Sequence, residues 1–342
     1  MKKIVSKHTM VIFLILGLVS GLILNASISP AAASSEKVIT LAFQGKWEGH
    51  EKENWASEQM KLKDYVAEAT NGKIQIKNMN EVVKDNEVID AVRQGVVDMG
   101  CQPLFLRREL IAVNFLSLPF VPHKKMPDIM EKLKPVYEDI WSKAGVKQLG
   151  YVYFLPQNLY TKEPADTFEA LKGMKIRVLG NTMTTLFKDA GATPINMTHA
   201  EVYTSLQRGL IDGAQTALPG YISGALYESC KYLSAWPLGG AGMGVVMNVD
   251  SWNKLGPELQ KQFMSAFQKM EKGQFEGIYK DVANIEAKAK ELGGIRRDPP
   301  QVEQDKLLAY VGAVLEDWKK KSGPTSTDVL KAINEVLGTS YK

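Results

Sequence analysis

Hydrophobic and polar positions along the chain follow two periods, one typical of strands and one typical of helices. The spacing predicts a strand over Lys37–Phe43, a helix over 53–70 and a second strand over 73–77. Residues 126–144 have the spacing of another helix, and 148–154 that of a strand. Strands that alternate with helices predict an α/β protein with mixed, mostly parallel sheets.

One αβ pattern occurs twice, at 87–100 and at 201–213. Each copy has a short helix, a capping glycine, two apolar residues and an aspartate: Gly95 and Asp98 in the first, Gly209 and Asp212 in the second. Two copies of one unit predict two similar lobes. Because only Glu, Val, Gly and Asp coincide strictly, a chance match is the alternative.

The C-terminal third is predominantly helical. The pattern over 257–292 is interrupted only by Gly273 and Gly277, and a continuous helix of that length would measure about 54 Å. Another helix is predicted over 301–321. The glycine-rich run Gly239–Gly244 does not open a helix as a nucleotide-binding fingerprint does, so we interpret it as a flexible crossing between lobes.

The N-terminus has the features of a cleavable signal peptide. Lysines precede an apolar run, Met10–Leu24, and small residues follow, so we expect cleavage near Ala33 and a periplasmic protein. A retained anchor is the weaker alternative, since about 20 residues are needed to span a bilayer. Removing three lysines from the 42 basic residues leaves a near balance with the 38 acidic ones, which argues against nucleic acid or an anionic membrane surface as partner.

Catalytic and metal-binding signatures are absent from the sequence. There is no His-Glu-x-x-His, Gly-x-Ser-x-Gly, P-loop or metal cluster, so we predict no cofactor, no metal and no enzymatic activity. The acid/base pair that a cleft enzyme would need can be proposed only from Glu81 and His199. Cys101 and Cys230 are expected to be buried thiols, with a disulfide as the alternative.

Arg177 is the candidate with the clearest chemistry. It lies in a short apolar run, Ile176–Val178, where a strand is expected and a charge is not. An unpaired guanidinium in a core costs several kcal/mol, so Arg177 either pairs with a carboxylate of the protein or faces a polar cleft. In a cleft, it would hold a ligand carboxylate through two parallel hydrogen bonds.

The segments around Arg177 resemble those of substrate-binding proteins of tripartite ATP-independent periplasmic (TRAP) transporters. The similarity covers nearly the whole mature chain and rests on these runs: 171–178, 191–194, 201–209, 70–74, 87–100, 118–120 and 246–248. It implies a two-lobed periplasmic binding protein with crossing strands and long C-terminal helices. It also implies that Arg177 holds a small organic acid, which is delivered to a membrane permease driven by an ion gradient.

The resemblance also predicts domain boundaries. Lobe I would comprise 34–154 with 243–285, and lobe II would comprise 155–242 with 286–342. The long helix, about 257–292, would span both lobes. The protein would act as a monomer or as a dimer paired through its long helices.

Further ligand contacts follow from positions in the same pattern. These candidates are Gln44, Trp47, Glu81, Gln157, Asn158, Asn181, Met183, Gln215 and Thr216. The sequence departs from the family in having Pro156 where many relatives have a second Arg, and Thr216 where an Asn is common. Losing one cation favours a monocarboxylate over a dicarboxylate, with an apolar body lined by Trp47, Met183, Tyr221 and Trp236.

Two other functions remain open at this point. The first is a bilobal sensor domain or a binding subunit of another transporter class. The second is an enzyme on the same type of scaffold. The pattern does not identify the ligand, and it leaves open whether a metal ion assists binding.

Overall fold

The computed structural model of the protein describes residues 38–45, 47–48, 51, 54–154 and 157–341. The predicted signal peptide, 1–33, and Pro156 lie outside the described residues.

The strands form two mixed sheets. The strands are β1 (Ile39–Gly45), β2 (Ile74–Asn80), β3 (Met99–Pro103), β4 (Lys147–Phe154), β5 (Gln157–Thr161), β6 (Lys175–Val178), β7 (Thr193–Asn196), β8 (Gly213–Ala217), β9 (Tyr232–Ser234), β10 (Ala241–Met247) and β11 (Ile295–Arg296). The sheet orders are β2-β1-β3-β10-β4 and β11-β9-β5-β8-β6-β7. We call the parts built on these two sheets lobe I and lobe II.

Helices cover and connect the sheets. They are α1 (Asn54–Ala69), α2 (Val88–Arg93), α3 (Met126–Lys143), α4 (Phe168–Leu171), α5 (Gly180–Asp189), α6 (His199–Gln207), α7 (Leu218–Ser223), α8 (Val249–Glu291), α9 (Gln301–Ser322) and α10 (Thr325–Leu337). Short 3-10 segments include Arg108–Ser117 and Leu226–Glu228. None of the helices in the described part has the length and apolar character that a bilayer crossing requires.

The predicted α/β class is confirmed, although antiparallel pairing is nearly as frequent as parallel pairing. In one sheet β1 pairs parallel with β2 and β3, and in the other β6 pairs parallel with β7 and β8 and β9 with β11. The crossing strands β10 and β5 each pair antiparallel with both neighbours. The chain reaches these strands from the opposite sheet, which is why it enters them in the reverse direction.

The repeated αβ unit places one hydrogen-bonding arrangement in both sheets. The backbone N–H of Asp98 donates to Ala42 O, and Asp98 Oδ2 accepts the Ala42 N–H at 2.8 Å. Asp212 makes the same two bonds with Lys175, the carboxylate bond again at 2.8 Å. Each aspartate therefore ties the start of one strand to its parallel neighbour, and the repeat is structural rather than a chance match.

Two glycine-based predictions were wrong in their local detail. Helix α8 starts at Val249, has non-helical backbone angles at Gly256 (φ 71°), and is not interrupted at Gly273 or Gly277. Those two glycines give α1 close access to α8, since a Cβ on either would collide with the Glu58 or Asn54 side chain. Most of the glycine-rich run 239–244 belongs to strand β10, where Gly244 leaves room for the Trp141 ring.

The largest core cluster draws residues from both sheets and from α9 and α10. Helix α10 packs on α3 beside β4 of lobe I, although the sequence pattern placed 286–342 with lobe II. The predicted lobe boundaries therefore stay a prediction.

Both cysteines are free and buried, as expected. Cys101 donates to Gln59 Oε1 at 3.1 Å, and Cys230 lies in the lobe II core. Burial raises the pKa of both thiols, so neither is poised for thiolate chemistry.

Candidate functional site

Arg177 is buried at the end of strand β6, with 1% of its surface exposed. Its Nε donates to Met197 O at 3.1 Å, and its Nη1 donates to Gln215 O at 2.9 Å. Two backbone carbonyls from neighbouring segments therefore fix the plane of the guanidinium. Neither of these acceptors carries a formal charge.

The third guanidinium nitrogen of Arg177, Nη2, has no hydrogen-bond partner among the described residues. Burial lowers the pKa of Arg177 to about 10, and the nearby Glu201 carboxylate opposes that shift without bonding to the guanidinium. Arg177 is thus still a cation at neutral pH. Among the described residues, Arg177 forms no ion pair with a protein carboxylate, which was the alternative to a ligand contact. A buried cation with one unused donor is suited to an anionic ligand.

A small cavity lies next to Gln215, whose carbonyl accepts a hydrogen bond from Arg177, but Arg177 itself is not among the lining residues. Its volume is about 20 Å³, and it is lined by Asn114, Gln157, Leu179, Gly180, Thr182, Met183, Gln215, Leu238, Gly240 and Ala241. This volume suits about one water molecule. Three of the predicted contacts, Gln157, Met183 and Gln215, therefore line one cavity.

A chain of amide hydrogen bonds links that cavity to Arg177. Gln215 Nε2 donates to Gln157 Oε1 at 2.8 Å, and Gln215 Oε1 accepts the Leu179 N–H at 3.1 Å. The backbone carbonyl of Gln215 is the acceptor for Arg177 Nη1. Gln215 therefore connects the arginine, the start of α5 and the crossing strand β5.

Gln44 and Trp47 bond within lobe I. The Gln44 amide bonds to the Val83 backbone in both directions, donating to Val83 O at 2.9 Å and accepting the Val83 N–H at 3.0 Å. Trp47 is 4% exposed, donates from Nε1 to Gln59 Oε1, and packs on Phe43. Neither side chain lines the cavity.

The other predicted contacts lie outside the cavity lining as well. Asn181 is exposed on α5, and Glu81 is exposed after β2 in a left-handed conformation (φ 44°). Asn158 donates to the Tyr160 hydroxyl at 3.5 Å, and the Thr216 hydroxyl lies under α7 next to Gly220. Their roles as ligand contacts remain predictions.

Tyr221 and Trp236 are core residues rather than walls of the cavity. The Tyr221 ring stacks on Tyr160 and its hydroxyl donates to Cys230 O at 2.9 Å. Trp236 donates from Nε1 to Ala165 O at 2.8 Å. Of the four residues proposed to line the ligand body, Met183 alone is among the cavity lining.

Glu81 and His199, the acid/base pair that an enzyme would need, lie on separate elements. The His199 ring packs against α7 at Gly220 and Gly224, and Glu81 follows β2 of lobe I. Within the described ranges, no group of three or more His, Cys, Asp or Glu side chains is placed to hold a metal ion.

Asn114 is one of the seven cavity-lining residues that were not among the predicted contacts. It lies in the 3-10 segment Arg108–Ser117, with backbone angles (φ −82°, ψ 21°) that depart from the helical values around it. The segment follows β3 of lobe I, yet Asn114 reaches a cavity lined mainly by lobe II residues. No periodicity or motif marks the position.

Comparison with known families gives a match over most of the chain. The family described as bacterial extracellular solute-binding protein, family 7, matches residues 47–321. The 2,3-diketo-L-gulonate-binding periplasmic protein YiaO of Escherichia coli is 28% identical over 300 residues, which cover 81% of this chain and 86% of that protein.

Solved structures share the fold at lower identity. A TRAP periplasmic solute-binding protein from Desulfovibrio salexigens with bound orotic acid has a TM-score of 0.80 at 19% identity, covering 87% of this chain and 98% of that one. DctP7 of Bordetella pertussis, an extracytoplasmic solute receptor binding pyroglutamic acid, has a TM-score of 0.76 at 21% identity, covering 87% and 100%. Both are two-lobed, as this chain is predicted to be.

Proposed function

Because the chain belongs to the bacterial extracellular solute-binding proteins of family 7, which serve TRAP transporters, we propose that it captures a small organic acid between its lobes. The ligands named for YiaO, for the D. salexigens protein and for DctP7 are all organic acids. The loaded protein then delivers the acid unchanged to a permease driven by an ion gradient. No catalytic step is part of this proposal.

The observation that carries the proposal is the unused Nη2 donor of Arg177. A buried cation without a counter-charge destabilises the ligand-free protein, and a ligand carboxylate supplies both the charge and the missing acceptor. The bonds to Met197 O and Gln215 O hold the guanidinium in one orientation beforehand, so little entropy is lost on binding.

The ligand class we favour is a compact monocarboxylate. None of the residues that line the cavity is charged. Arg177, which bonds to the Gln215 carbonyl, would supply the cationic contact once the lobes part, and amides would supply most of the remaining polar contacts. Since the cavity holds about 20 Å³, the lobes must part to admit an organic acid and then close over it.

The energies involved are compatible with Arg177 supplying only part of the binding free energy. One charge-assisted hydrogen bond contributes about 1.5–3 kcal/mol, whereas micromolar affinity needs about −8 kcal/mol. Burial of the ligand body by lobe closure must therefore supply most of the affinity. Arg177 would select for the carboxylate rather than provide the whole binding energy.

The compartment and the assembly belong to the same proposal. We expect the signal peptide, 1–33, to direct export to the periplasm, where the chain acts as a monomer or as a dimer paired through its long helices. The lobe boundaries given above would define the two moving parts. The packing of α10 on α3 favours assigning α10 to lobe I instead of lobe II.

Calorimetry on the mature protein tests the function, after a thermal-shift screen with small organic acids. For an acid that binds the wild type, Arg177→Met should weaken the affinity roughly 10- to 150-fold. Arg208→Ala, which removes an exposed arginine from the same lobe, is the matched control and should bind normally. Unchanged affinity in Arg177→Met would refute the carboxylate contact, and binding of only uncharged solutes would refute the organic-acid class.

A further inference from the structure

A second, larger cavity lies in lobe I, away from Arg177. It is a groove of about 510 Å³ bounded by α3, by strand β4 and by α8, and we call it the α3–β4–α8 groove. Its volume falls within the range of about 300–1,000 Å³ that is typical of small-molecule sites. Strand β4 is the edge strand of its sheet, so the groove has a strand as its floor and helices as its walls.

Glu271 extends from α8 to the strand that forms the floor of this groove. Its Oε1 accepts the Tyr151 N–H of the β4 edge at 2.7 Å. No cation pairs with Glu271 among the described residues, and no hydrogen bond to its second carboxylate oxygen is formed there. Gly150 makes the approach possible, because a Cβ at that position would collide with Oε1 and with the Phe267 ring.

Aromatic and thioether side chains surround that carboxylate. Tyr153 and Phe275 meet edge to face with ring centroids 5.7 Å apart, and Met130 and Met264 line the same groove. At the rim, Lys147 Nζ already lies 5.7 Å from the Trp252 ring centroid, a cation–π contact. Aromatic faces next to a carboxylate that has no ion-pair partner among the described residues form an environment that selects organic cations.

We propose that the α3–β4–α8 groove is a second ligand site for a small organic cation of the alkylammonium or quaternary ammonium class. It is separate from the cavity of about 20 Å³ beside Gln215, which we call the interlobe cavity. The cation would lie against the aromatic rings and neutralise the Glu271 carboxylate. The carbon skeleton of the ligand would fill the apolar part of the groove. This proposal does not depend on which acid the interlobe cavity binds.

The test uses choline and n-butylammonium as probes, titrated by calorimetry into the mature protein. Choline should bind, while 3,3-dimethyl-1-butanol, its uncharged analogue of equal shape, should bind at least about tenfold more weakly, because it lacks the charge that Glu271 neutralises. Glu271→Gln preserves the shape of the side chain and can still accept from Tyr151 N–H, and it should weaken choline binding at least about tenfold.

Two control variants separate this site from others. Glu276→Gln removes an exposed carboxylate from the next turn of α8 and should leave choline binding unchanged. Arg177→Met should also bind choline normally, because it alters the other cavity. If neither cation binds at about 10 mM, where a site with a Kd near 1 mM would be mostly filled, the proposal is wrong. Equal choline binding by Glu271→Gln would also overturn it.

The pH dependence gives an independent readout. Burial raises the pKa of Glu271 to about 7, with the Tyr151 N–H bond and Lys134 opposing the shift. The other charged or titratable groups facing the groove are Glu131, Lys134, Tyr137 and Glu138 from α3, Lys147, Tyr151 and Tyr153 from β4, and Lys272 from α8. Choline affinity should fall about 30-fold from pH 8 to pH 5.5 in the wild type and stay nearly constant in Glu271→Gln. A flat wild-type profile would contradict the role of Glu271.

Discussion

The two sheets have equivalent strands, yet the side chains at one equivalent buried position differ in how completely they are hydrogen-bonded. Register aligns Gln44 of β1 with Gly100 of β3, and Arg177 of β6 with Ala214 of β8. Gln44 and Arg177 each lie two residues after the residue whose N–H an aspartate accepts, Ala42 or Lys175. In lobe I the Gln44 amide bonds to Val83 in both directions, and its hydrogen-bonding capacity toward that loop is filled. In lobe II the guanidinium bonds to Met197 and Gln215 and retains one unused donor.

This difference separates stability from function within one repeated architecture. An amide that is bonded through both its nitrogen and its oxygen holds the loop after β2 in place and offers little to a ligand. An incompletely bonded cation weakens its own lobe slightly and is available to an anion. The lobe II position therefore fits a binding role, and the lobe I position fits a structural one.

The largest expected contrast comes from replacing these two residues. Gln44→Leu should lower the free energy of unfolding by about 2–4 kcal/mol, because both Val83 backbone groups lose their partner. Arg177→Met should change it by less than about 1 kcal/mol, since losing two hydrogen bonds is offset by removing a buried charge. Urea denaturation measures both. A larger loss for Arg177→Met than for Gln44→Leu would show that the arginine is the structural residue.

The two aspartates should differ by a smaller amount. The Asp98 carboxylate accepts from Ala42 N–H and also from the Ser251 hydroxyl at 2.5 Å, whereas the Asp212 carboxylate accepts from Lys175 N–H alone within the part of the chain that the structure describes. Asp98→Ala should cost about 2–3 kcal/mol of unfolding free energy and Asp212→Ala about 1 kcal/mol. Ser251→Ala is the control and should account for most of the difference. Equal costs would mean that the Ser251 bond contributes nothing.

The buried charges of the two lobes should respond differently to pH. The pKa of Glu271 is raised to about 7 in the folded protein, so the folded state holds a proton that the unfolded state has released above its lower pKa. Relative to Glu271→Gln, wild-type stability should therefore fall by on the order of 1–3 kcal/mol as pH rises from about 4.5 to 7. The stability difference between wild type and Arg177→Met should stay constant over this window, because Arg177 has a pKa of about 10 and remains protonated throughout it. Urea midpoints across this window decide the point.

The smallest effect is expected where the two lobes are alike. Gly95 and Gly209 cap α2 and α6 with φ values of 73° and 69°, in open surroundings. Replacing either with alanine should cost about 1 kcal/mol of unfolding free energy, from backbone conformation alone. The two costs should agree within about 0.5 kcal/mol. A marked difference in thermal denaturation would mean that the repeated units are not equivalent in energy.

The features that sequence predicted well are those with a local physical cause. Capping glycines, the aspartate after them and the helical stripes act over a few residues, so the repeat and most elements were identified. The family resemblance was confirmed by the match over 47–321. Arg177 was selected because a charge in an apolar strand is costly anywhere in the chain.

Features that depend on distant contacts were missed. No pattern showed that Gln44 would be bonded to Val83, since the partners lie 39 residues apart. Gly273 and Gly277 looked like interruptions of the helix. They are glycines because α1 packs closely against them, and α1 lies more than two hundred positions earlier in the chain. Asn114 reaches the cavity through an irregular segment, and α10 was overlooked beyond Gly323-Pro324.

Strand β10 has a consequence for how the protein acquires its structure. It lies between β3 and β4, yet both of those strands come long before it in the chain and all of β5–β9 separates them from it. Until Ala241–Met247 is synthesised, β3 and β4 each have an edge without its partner, and such edges pair readily with other chains. The sheet of lobe I is therefore completed by one of the last strands, through long-range contacts of the kind that slow folding.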